Sequence, residues 1–273
     1  MDLSQVLEIS SATDPGMVRA HNEDSIASDA ANGLVVLADG MGGYNAGEVA
    51  SGMATTVITT EIAQVFANVQ PYSVDDNQKP AAARIVREQV LKANTSIYQA
   101  AQSQPQYAGM GTTLIVCLFY DNKVMIAHLG DSRVYRMRSE VFTQVTRDHS
   151  LLQEQIDSGL ITAEQAKTAA HKNLVTKALG IDPTVEPEIN EYDAQVGDIY
   201  LLCSDGLCDM ETDEDIGMTL SMLGANLKLA TQQLVQMAND NGGRDNVSVI
   251  LVRVLKEYPA ARGVMSKFFA WLK

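Results

Sequence analysis

The chain has 273 residues, enough for one large domain or two. Its 34 acidic residues outnumber its 20 basic ones and give a net charge of −14, which argues against binding nucleic acid through the phosphate backbone. The N-terminus lacks the basic and apolar regions of a signal peptide, and no apolar run approaches the roughly 20 residues of a membrane span. The 3 cysteines form no C-x-x-C pair, which indicates a reducing compartment, so we expect a cytoplasmic protein.

The first part of the chain predicts a strand, a turn and a pair of acids. Val6–Thr13 has partial strand character, and Asp14–Gly16 favours a turn. Glu23 and Asp24 follow shortly afterwards. Two adjacent acids in such a place are typical of a solvated turn, so a functional role for them depends on the rest of the sequence.

The apolar run Leu34–Ala38 predicts a strand buried on both faces, because glycines bound it and it is too short for a typical helix. This strand carries Asp39 at its end. The glycines of Gly40–Gly43 then allow the backbone to turn sharply and to approach whatever Asp39 holds. An aspartate followed by glycine is also an ordinary strand ending, but the geometry suits a metal ligand.

The same pattern of an apolar run and an aspartate recurs along the chain. Asp131 and Asp205 each follow a short apolar run, and Asp245 precedes the β-branched run Val247–Val252. If these strands share a sheet with suitable directions, the three aspartates gather with Asp39 at one end. Such a cluster raises its own pKa values or recruits cations. Carboxylates with little histidine select Mg²⁺, Mn²⁺ or Ca²⁺ rather than zinc.

Two long helices are predicted between these strands. Asn45–Phe66 has apolar residues at helical spacing with Asn45 as its N-cap, and Ala81–Ala101 has the same spacing. Thr112–Phe119 then predicts a strand, and Asp121–Lys123 predicts a hairpin turn into the next strand. The pattern up to this point is one of strands around two helices.

The segment from Ser150 to Gly180 is polar, has a helical period and interrupts the series of strands. A first helix there ends at Gly159, and Thr162–Gln165 has the pattern of a capping box for a short second helix. We expect this segment to form a flap near the site. Gly224–Asn239 predicts a final long helix. Antiparallel hairpins with a few long helices indicate an α+β layered domain.

Five short motifs occur in a fixed order along the chain: Arg19-x-x-x-Glu23-Asp24, Asp39-Gly40-Met41-Gly42-Gly43, Gly130-Asp131-Ser132-Arg133, Ser204-Asp205-Gly206 and Asp245-Asn246. Together they resemble the metal-dependent serine/threonine protein phosphatases of the 2C class, and most of all the bacterial signalling members. The resemblance runs from about Ile9 to Val254. It implies an α+β fold, a sandwich of two antiparallel β-sheets flanked by α-helices, with a helical flap inserted near the metal site.

The resemblance assigns metal ligands by position. Asp39 would bridge two Mn²⁺ or Mg²⁺ ions, and the carbonyl of Gly40 would bind one of them. Asp205 and Asp245 would hold the other ion. Asp131 together with Asp205 would offer a weaker third site. The core of the site would therefore hold two ions, with a third in addition.

The resemblance also assigns catalytic residues. Arg19 matches the phosphate-binding arginine of the family, and its planar guanidinium suits two phosphate oxygens. Glu23 and Asp24 would act mainly through metal-bound water, beside the bridging Asp39. The implied reaction is hydrolysis of phosphoserine and phosphothreonine by a metal-bridging hydroxide, without a covalent phosphoenzyme.

The identity of the general acid is open. Animal members of the family carry a histidine where this chain has Met41. Water on the third ion is the first candidate for protonating the leaving group. His149 and His171 are weaker candidates. His128 alternates with apolar residues on one strand face, which predicts a core histidine with its hydrogen bonds satisfied.

Other classes of function fit less well. None of the cysteines lies in the C-x5-R pattern of cysteine phosphatases, and there is no P-loop. The acidic run Asp209–Asp215 lacks the glycine of an EF-hand and predicts a solvated loop. The alternative is a catalytically weak phosphoprotein- or cation-binding regulatory module on the same fold. Such a module should have lost a core carboxylate, but Asp39, Asp205 and Asp245 are all present.

We predict one phosphatase catalytic domain over residues 1–255, with the flap at about 148–182, and a C-terminal amphipathic tail over 256–273. Within the tail, a helix from about Gly263 would align Val264, Phe268, Trp271 and Leu272 as a stripe that docks on the protein's own surface. The partners implied by the resemblance are phosphoserine and phosphothreonine proteins and a eukaryotic-type serine/threonine kinase with its substrates.

Overall fold

Two antiparallel sheets form the framework of the protein, which a computed structural model describes over residues 2–42, 46–74, 80–166 and 174–260. Within those residues, the first sheet has the strand order β1 (Leu7–Asp14), β11 (Val247–Val254), β10 (Ile199–Cys203), β7 (Arg133–Arg138) and β8 (Val141–Gln144). The second has the order β2 (Asp24–Asp29), β3 (Leu34–Met41), β5 (Leu114–Tyr120), β6 (Lys123–Leu129) and β9 (Glu188–Asp193), and β4 (Gly111–Thr112) pairs with β3.

The inner faces of the two sheets share one apolar core. Val35 of β3 and Cys117 of β5 pack in a single cluster with Leu202 of β10 and Ile250 of β11. Neighbouring residues on these central strands point to the outer faces and are buried there by helices, so the strands are apolar throughout rather than alternating. The predicted α+β sandwich of two antiparallel sheets is confirmed.

Helices cover both outer faces of the sandwich. In chain order the described helices are α1 (Ala46–Phe66), α2 (Ala81–Ser103), α3 (Leu151–Asp157), α4 (Ala163–Ala166), α5 (Asp205–Cys208), α6 (Asp213–Leu223) and α7 (Leu227–Asp240). Ile58 of α1 and Ile85 of α2 are buried against the second sheet. Leu220 of α6 and Leu234 of α7 are buried against the first. The four layers leave the ends of the sandwich open, and one of those ends carries the acidic motifs.

The long helices lie close to their predicted bounds, but the predicted strand Thr112–Phe119 is divided at Thr113. The backbone N–H of Thr113 donates to the Asp39 carbonyl (2.9 Å), and the Thr113 hydroxyl accepts from the Asp39 N–H (3.0 Å). This side chain therefore replaces part of the strand ladder and fixes the backbone of Asp39. The predicted hairpin turn is present, with positive φ at Asp121 and Asn122.

The segment predicted to be a flap lies between β8 and β9 and contains α3 and α4. The hydroxyl of Ser150 caps α3 by accepting from the N–H of Gln153 (3.2 Å). Thr162 and Gln165 form the predicted capping box, with reciprocal bonds of 2.8 and 3.2 Å. The structure describes residues 148–166 and 174–182 of this segment, and its role as a flap stays a prediction.

The sequence prediction is partly wrong between β10 and β11. The acidic run Asp209–Asp215 is not simply a solvated loop, because Thr212 caps a helix there and the last acids form the first turn of α6. Acids are favourable in that turn because they complement the helix dipole. The helix predicted over Gly224–Asn239 is present as α7, but it begins three residues later, at Leu227. Gly224 ends α6, and Asn226 caps α7.

After β11 the chain packs against the β5–β6 turn. Tyr258 is buried, its N–H donates to the Asn122 side chain (2.5 Å) and its hydroxyl donates to the Lys123 carbonyl (3.0 Å). The predicted tail helix from Gly263 lies outside the described residues, and the division of the chain at residue 255 stays a prediction. No helix of the described residues is both long and apolar enough to cross a membrane.

Candidate metal centre

The centre is built at the end of the sandwich where β2 begins and β3 ends. Asp24 is the first residue of β2, and Asp39 is its direct partner in the antiparallel register with β3. The apolar residues before Asp39 are fully buried, so the sheet core holds this strand and its terminal carboxylate in place. Two carboxylates therefore lie side by side on neighbouring strands.

Three further aspartates place negative charge near Asp39. The pKa of Asp39 is well above its usual value, because the side chain is buried and because Asp24 and Asp205 place negative charge near it. Asp131 and Asp245 raise that pKa further. Burial likewise raises the pKa of Asp205, followed by the charge of Asp131. The four aspartates that the sequence predicts at one end are brought together, and Asp24 joins them.

Asp24 has the clearest deficit of hydrogen bonds. Its Oδ2 accepts from the hydroxyl of Ser204 (2.8 Å), which in turn accepts from the N–H of Ser248 (2.9 Å). Its Oδ1 is buried and has no hydrogen-bond partner among the described residues. Burial raises the pKa of Asp24 to about 6. A buried carboxylate oxygen without a donor requires a proton or a cation.

The donor set fits hard divalent ions. The carboxylates supply oxygen ligands and repel one another, which a cation between them would reverse. No three described carboxylates of the centre place oxygens within 4.8 Å of one another. That spread suits Mg²⁺-like ions, which keep several waters and bind through one or two carboxylates each, over more than one ion. The residues present therefore fit a hydrated centre with several ions better than a single closed site.

Asp131 lies beyond the end of β6, at the edge of this group. Burial raises its pKa to about 6, and the negative charge of Asp148 contributes. Asp148 itself is held by Arg133, whose Nε and Nη2 donate to it at 3.0 and 2.7 Å. A cleft of about 760 Å³ opens beside Asp131 and Asp205, with α3 on one wall and residues 208–214 on another.

Arg19 brings positive charge to the rim of the centre. Its Nη2 donates to Oδ2 of Asp245 at 2.6 Å. This hydrogen bond is the main reason that the pKa of Arg19 is raised, and the charges of Glu23 and Asp205 add to it. The side chain is 52% exposed, so the guanidinium spans from the carboxylates to solvent. Arg19 is thus placed where an incoming anion would meet the centre.

Glu23 reaches the centre through a close approach of two backbones. Its carboxylate accepts from the N–H of Gly47 in the first turn of α1, and burial raises its pKa. A Cβ on Gly47 would lie 2.8 Å from the Glu23 carboxyl carbon, and a Cβ on Gly40 would lie 2.2 Å from the Gly47 carbonyl oxygen. Only glycine fits at either position. The sequence analysis identifies Gly40 but misses Gly47, whose signal is a glycine in the first turn of a predicted helix.

Asn246 makes contacts that the sequence analysis does not predict, although its motif is recognised. Its side chain is buried and accepts from the N–H of Glu23 (2.8 Å). The same amide donates to the carbonyls of Pro15 (3.0 Å) and His21 (2.9 Å). The available signal is the asparagine beside Asp245, but sequence alone gives no indication of which segment it contacts.

His128 and His149 are not well placed to donate protons. His128 is buried and Nε2 lies 2.9 Å from the Arg147 carbonyl, as predicted for a satisfied core histidine. His149 stacks on it, accepts from the Gly130 N–H, and has its pKa lowered to about 4 by burial and by His128. It is therefore neutral near pH 7. His171 lies outside the described residues.

A second group of residues with metal-ligating side chains is not arranged to bind a single ion. His128, His149 and Glu188 place ligand atoms within 4.8 Å of one another. The two imidazole rings are parallel within 1° and stacked 4.6 Å apart. Lone pairs in parallel planes do not converge on one ion. The aspartate centre is thus the better metal candidate among the described residues.

Comparison with known proteins places this geometry in context. The sequence profile described as "Protein phosphatase 2C" matches residues 18–251. The chain is 36% identical over 251 residues to serine/threonine protein phosphatase PstP of Mycobacterium tuberculosis, matching 92% of this chain and 45% of that protein, so it spans less than half of that relative. It is 36% identical over 256 residues to protein phosphatase PhpP of Streptococcus pneumoniae, matching 92% of this chain and 99% of that protein.

A solved structure is similar to this chain over most of its length. The catalytic domain of PstP in complex with 2 manganese ions matches with a TM-score of 0.79 and 35% identity, covering 92% of this chain and 99% of that one. The family profile, which matches residues 18–251, includes every residue proposed for the centre from Arg19 to Asp245.

Proposed function

The chain belongs to the protein phosphatase 2C family, and from that premise we propose that it hydrolyses phosphoserine and phosphothreonine in proteins with Mn²⁺ or Mg²⁺ as cofactor. The observation that carries the proposal is the convergence of five aspartates on one end of the sandwich. Burial and the charges of its neighbours raise the pKa of Asp39, and a buried oxygen of Asp24 has no hydrogen-bond donor among the described residues. Such a site gains stability by binding cations. The manganese ions in the related PstP domain support this choice of ion.

Each acidic residue has a proposed place around two core ions and a third. Asp39 would hold the core ions, while Glu23 and Asp24 would position the water that the ions activate. When bound, the ions supply Lewis acidity and activate water for in-line attack on phosphorus. The proposed ligands to the ions are Asp39, Gly40, Asp205, Asp245 and, for the third ion, Asp131.

Arg19 would bind the phosphate of the substrate. Its guanidinium already contacts Asp245 and extends into solvent, so one edge faces the ligands and the remainder is exposed to an entering phosphate. Arginine grips two phosphate oxygens in a fixed geometry, which orients the phosphorus for attack. The contact with Asp245 restricts the side chain before substrate binds, and this reduces the entropy lost on binding.

The reaction would transfer the phosphoryl group directly to water, giving the free hydroxyl amino acid and orthophosphate. The leaving alkoxide needs one proton. Met41 has none to give, and His149 is neutral near pH 7 because its pKa is about 4. We therefore assign the proton to a water molecule on the Asp131 side of the centre.

The substrates would be phosphoproteins that reach the centre beside the cleft at Asp131 and Asp205. A eukaryotic-type serine/threonine kinase as partner follows from the family resemblance and stays a prediction. The alternative of a weak binding module gains no support from the residues, because every proposed core carboxylate is present at the centre.

The test is phosphate release from a phosphothreonine peptide with Mn²⁺, with excess EDTA, and with Mn²⁺ restored after chelation. We expect turnover only when the ion is present, and none from the matched variant Asp39→Asn. Equal activity in metal-free buffer would overturn the metal mechanism. Tight binding of Mn²⁺ without turnover of phosphoserine or phosphothreonine peptides would favour the binding module.

A further inference from the structure

We propose that Asn246 is a positioning residue, whose side-chain amide fixes the segment Pro15–Glu23 and so sets Arg19 for phosphate binding. The inference rests on the proposed function for its consequence in catalysis. Its structural part, the clamping of Pro15–Glu23 by one amide, stands on contacts alone. Asn246 does not touch substrate or ions in this proposal and acts through Arg19 and Glu23.

The clamp consists of three hydrogen bonds from one side chain. The Asn246 Oδ1 accepts from the N–H of Glu23 at 2.8 Å, and Nδ2 donates to the carbonyls of Pro15 and His21 at 3.0 and 2.9 Å. The side chain is 5% exposed. It therefore satisfies backbone groups at both ends of the segment, and water does not easily replace a buried amide of this kind.

The segment needs such a clamp because it has little order of its own. Between β1 and β2 it forms turns and bends and no helix or strand. Holding each residue in one backbone conformation costs about 1–2 kcal/mol, and only contacts can offset that cost. Other anchors are the N–H of Met17, which donates to Gly243 (2.8 Å), and the Asn22 side chain, which donates to Thr13 (2.8 Å). Asn246 joins the two ends, with Arg19 between them.

Asparagine is the residue that this arrangement requires. The position needs one acceptor for Glu23 and two donors for Pro15 and His21, and a carboxamide carries both. Alanine removes all three bonds, whereas aspartate keeps the acceptor and loses the donors. The backbone N–H of Asn246 donates to Asp245 Oδ1 (2.9 Å) whatever the side chain. A side-chain substitution therefore removes the clamp but keeps the backbone hydrogen bond to Asp245, the proposed ligand.

The first test is hydrogen–deuterium exchange on the metal-free protein, which does not depend on activity. In Asn246→Ala we expect the amides of residues 17–23 to exchange at least about tenfold faster, a loss of roughly 1.4 kcal/mol of local protection. In Asn246→Asp the Glu23 amide should remain more protected than in the alanine variant, since its acceptor is kept. Wild-type protection across the segment in both variants would overturn the proposal.

The second test is a double-mutant cycle on KM for p-nitrophenyl phosphate with Mn²⁺. We expect Asn246→Ala and Arg19→Ala each to raise KM about tenfold, and the double variant to raise it little further, because both changes remove the same phosphate grip. If the two effects multiply, Asn246 does not act through Arg19 and the positioning role is wrong.

The matched control is Asn94→Ala. Asn94 is also buried and also bridges backbone groups, accepting from Gly180 (2.8 Å) and donating to Asp182 (3.1 Å), but it contacts no segment that carries a proposed ligand. We expect a similar loss of melting temperature with unchanged KM. A rise in KM equal to that of Asn246→Ala would mean that general destabilisation explains both. Wild-type protein without phosphatase activity would overturn the proposed function, whereas the exchange result would still decide the clamp.

Discussion

Two aspartates flank β10 in different surroundings, Asp198 buried before the strand and Asp205 half-buried beyond it. At the start, Asp198 is 1% exposed and its carboxylate accepts from Arg138 Nε and Nη2 at 2.7 and 2.6 Å, from the Gln195 N–H at 2.8 Å and from the Tyr200 hydroxyl at 3.3 Å. Asp205 lies beyond the other end, near Asp131. Burial raises the pKa of Asp205, and the negative charge of Asp131 raises it further. The carboxylate is thus paired with a guanidinium at one end of the strand, whereas at the other end its pKa is raised by burial and by neighbouring carboxylates.

This difference separates a structural carboxylate from one available for chemistry. A buried charge with a bidentate guanidinium and several donors has its lost hydration replaced within the protein. A group of buried carboxylates needs protons or cations from solution instead. Removing the charge should therefore harm the fold at Asp198 and the function at Asp205. The following predictions test that contrast, from the largest expected effect to the smallest.

Asp205→Asn should lower turnover of a phosphothreonine peptide at least about 1000-fold, because it removes a proposed ligand from the core ions and from the third. Mn²⁺ affinity measured by calorimetry should fall with it. The melting temperature of the metal-free protein should not fall, because the substitution removes a carboxylate that the neighbouring carboxylates repel. Turnover near that of wild type would contradict the assignment.

Asp198→Asn should lower the free energy of unfolding by about 1–3 kcal/mol, because the buried donors around Asp198 lose their charged acceptor. Urea unfolding measures this effect. Activity per folded molecule, assayed well below the unfolding transition, should match that of wild type. A stable variant that has lost activity would reverse the roles assigned to the two ends of β10.

The metal-free protein should become less stable as the pH rises from about 4 to about 6. Asp24 and Asp131 have folded-state pKa values raised to about 6, so in this window the folded state binds more protons than the unfolded chain, and stability falls as pH rises. Each group contributes about 3 kcal/mol over its shift of about two pKa units. Melting temperatures at several pH values in EDTA measure the slope. Asp131→Asn should reduce this slope. An unchanged slope in the variant would contradict the raised pKa of Asp131.

Asp131→Asn should have the smallest effect on catalysis, a fall in kcat of about tenfold, because only the proposed third ion depends on it. Two Mn²⁺ ions should still bind in calorimetry. Loss of a tight site would instead place Asp131 among the core ligands, and an unchanged kcat would remove the third ion from the mechanism.

The sequence predicted the parts of the fold that depend on local pattern. Continuous apolar runs gave the central strands, and their terminal aspartates gave the centre, because a strand has a fixed direction and carries the next residue to its end. The prediction was wrong at Asp209–Asp215, where a high charge density concealed the first turn of α6. Strand β9 was also missed, since its half-exposed residues resemble those of a loop.

Contacts between distant residues were beyond sequence reasoning. Asn246 and Pro15 meet only because β1 and β11 are neighbours in the sheet. Cys203 and Cys208 do not lie in a C-x-x-C pair, but the short helix α5 brings their sulfurs within 3.4 Å, with the Tyr135 hydroxyl 3.5 Å from Cys208. In both cases the spacing along the chain does not predict the contact, because the fold brings the residues together.

The position of β11 has a consequence for protein synthesis. The last strand of the described residues lies between β1 and β10, and the residue pair before it supplies Asp245 and the Asn246 clamp. Until residues 245–254 leave the ribosome, β1 lacks its neighbour and the centre lacks a proposed ligand. Long-range pairing of this kind forms late in folding. A nascent chain would therefore acquire its other described strands first, and its metal centre only after residues 245–254 have emerged.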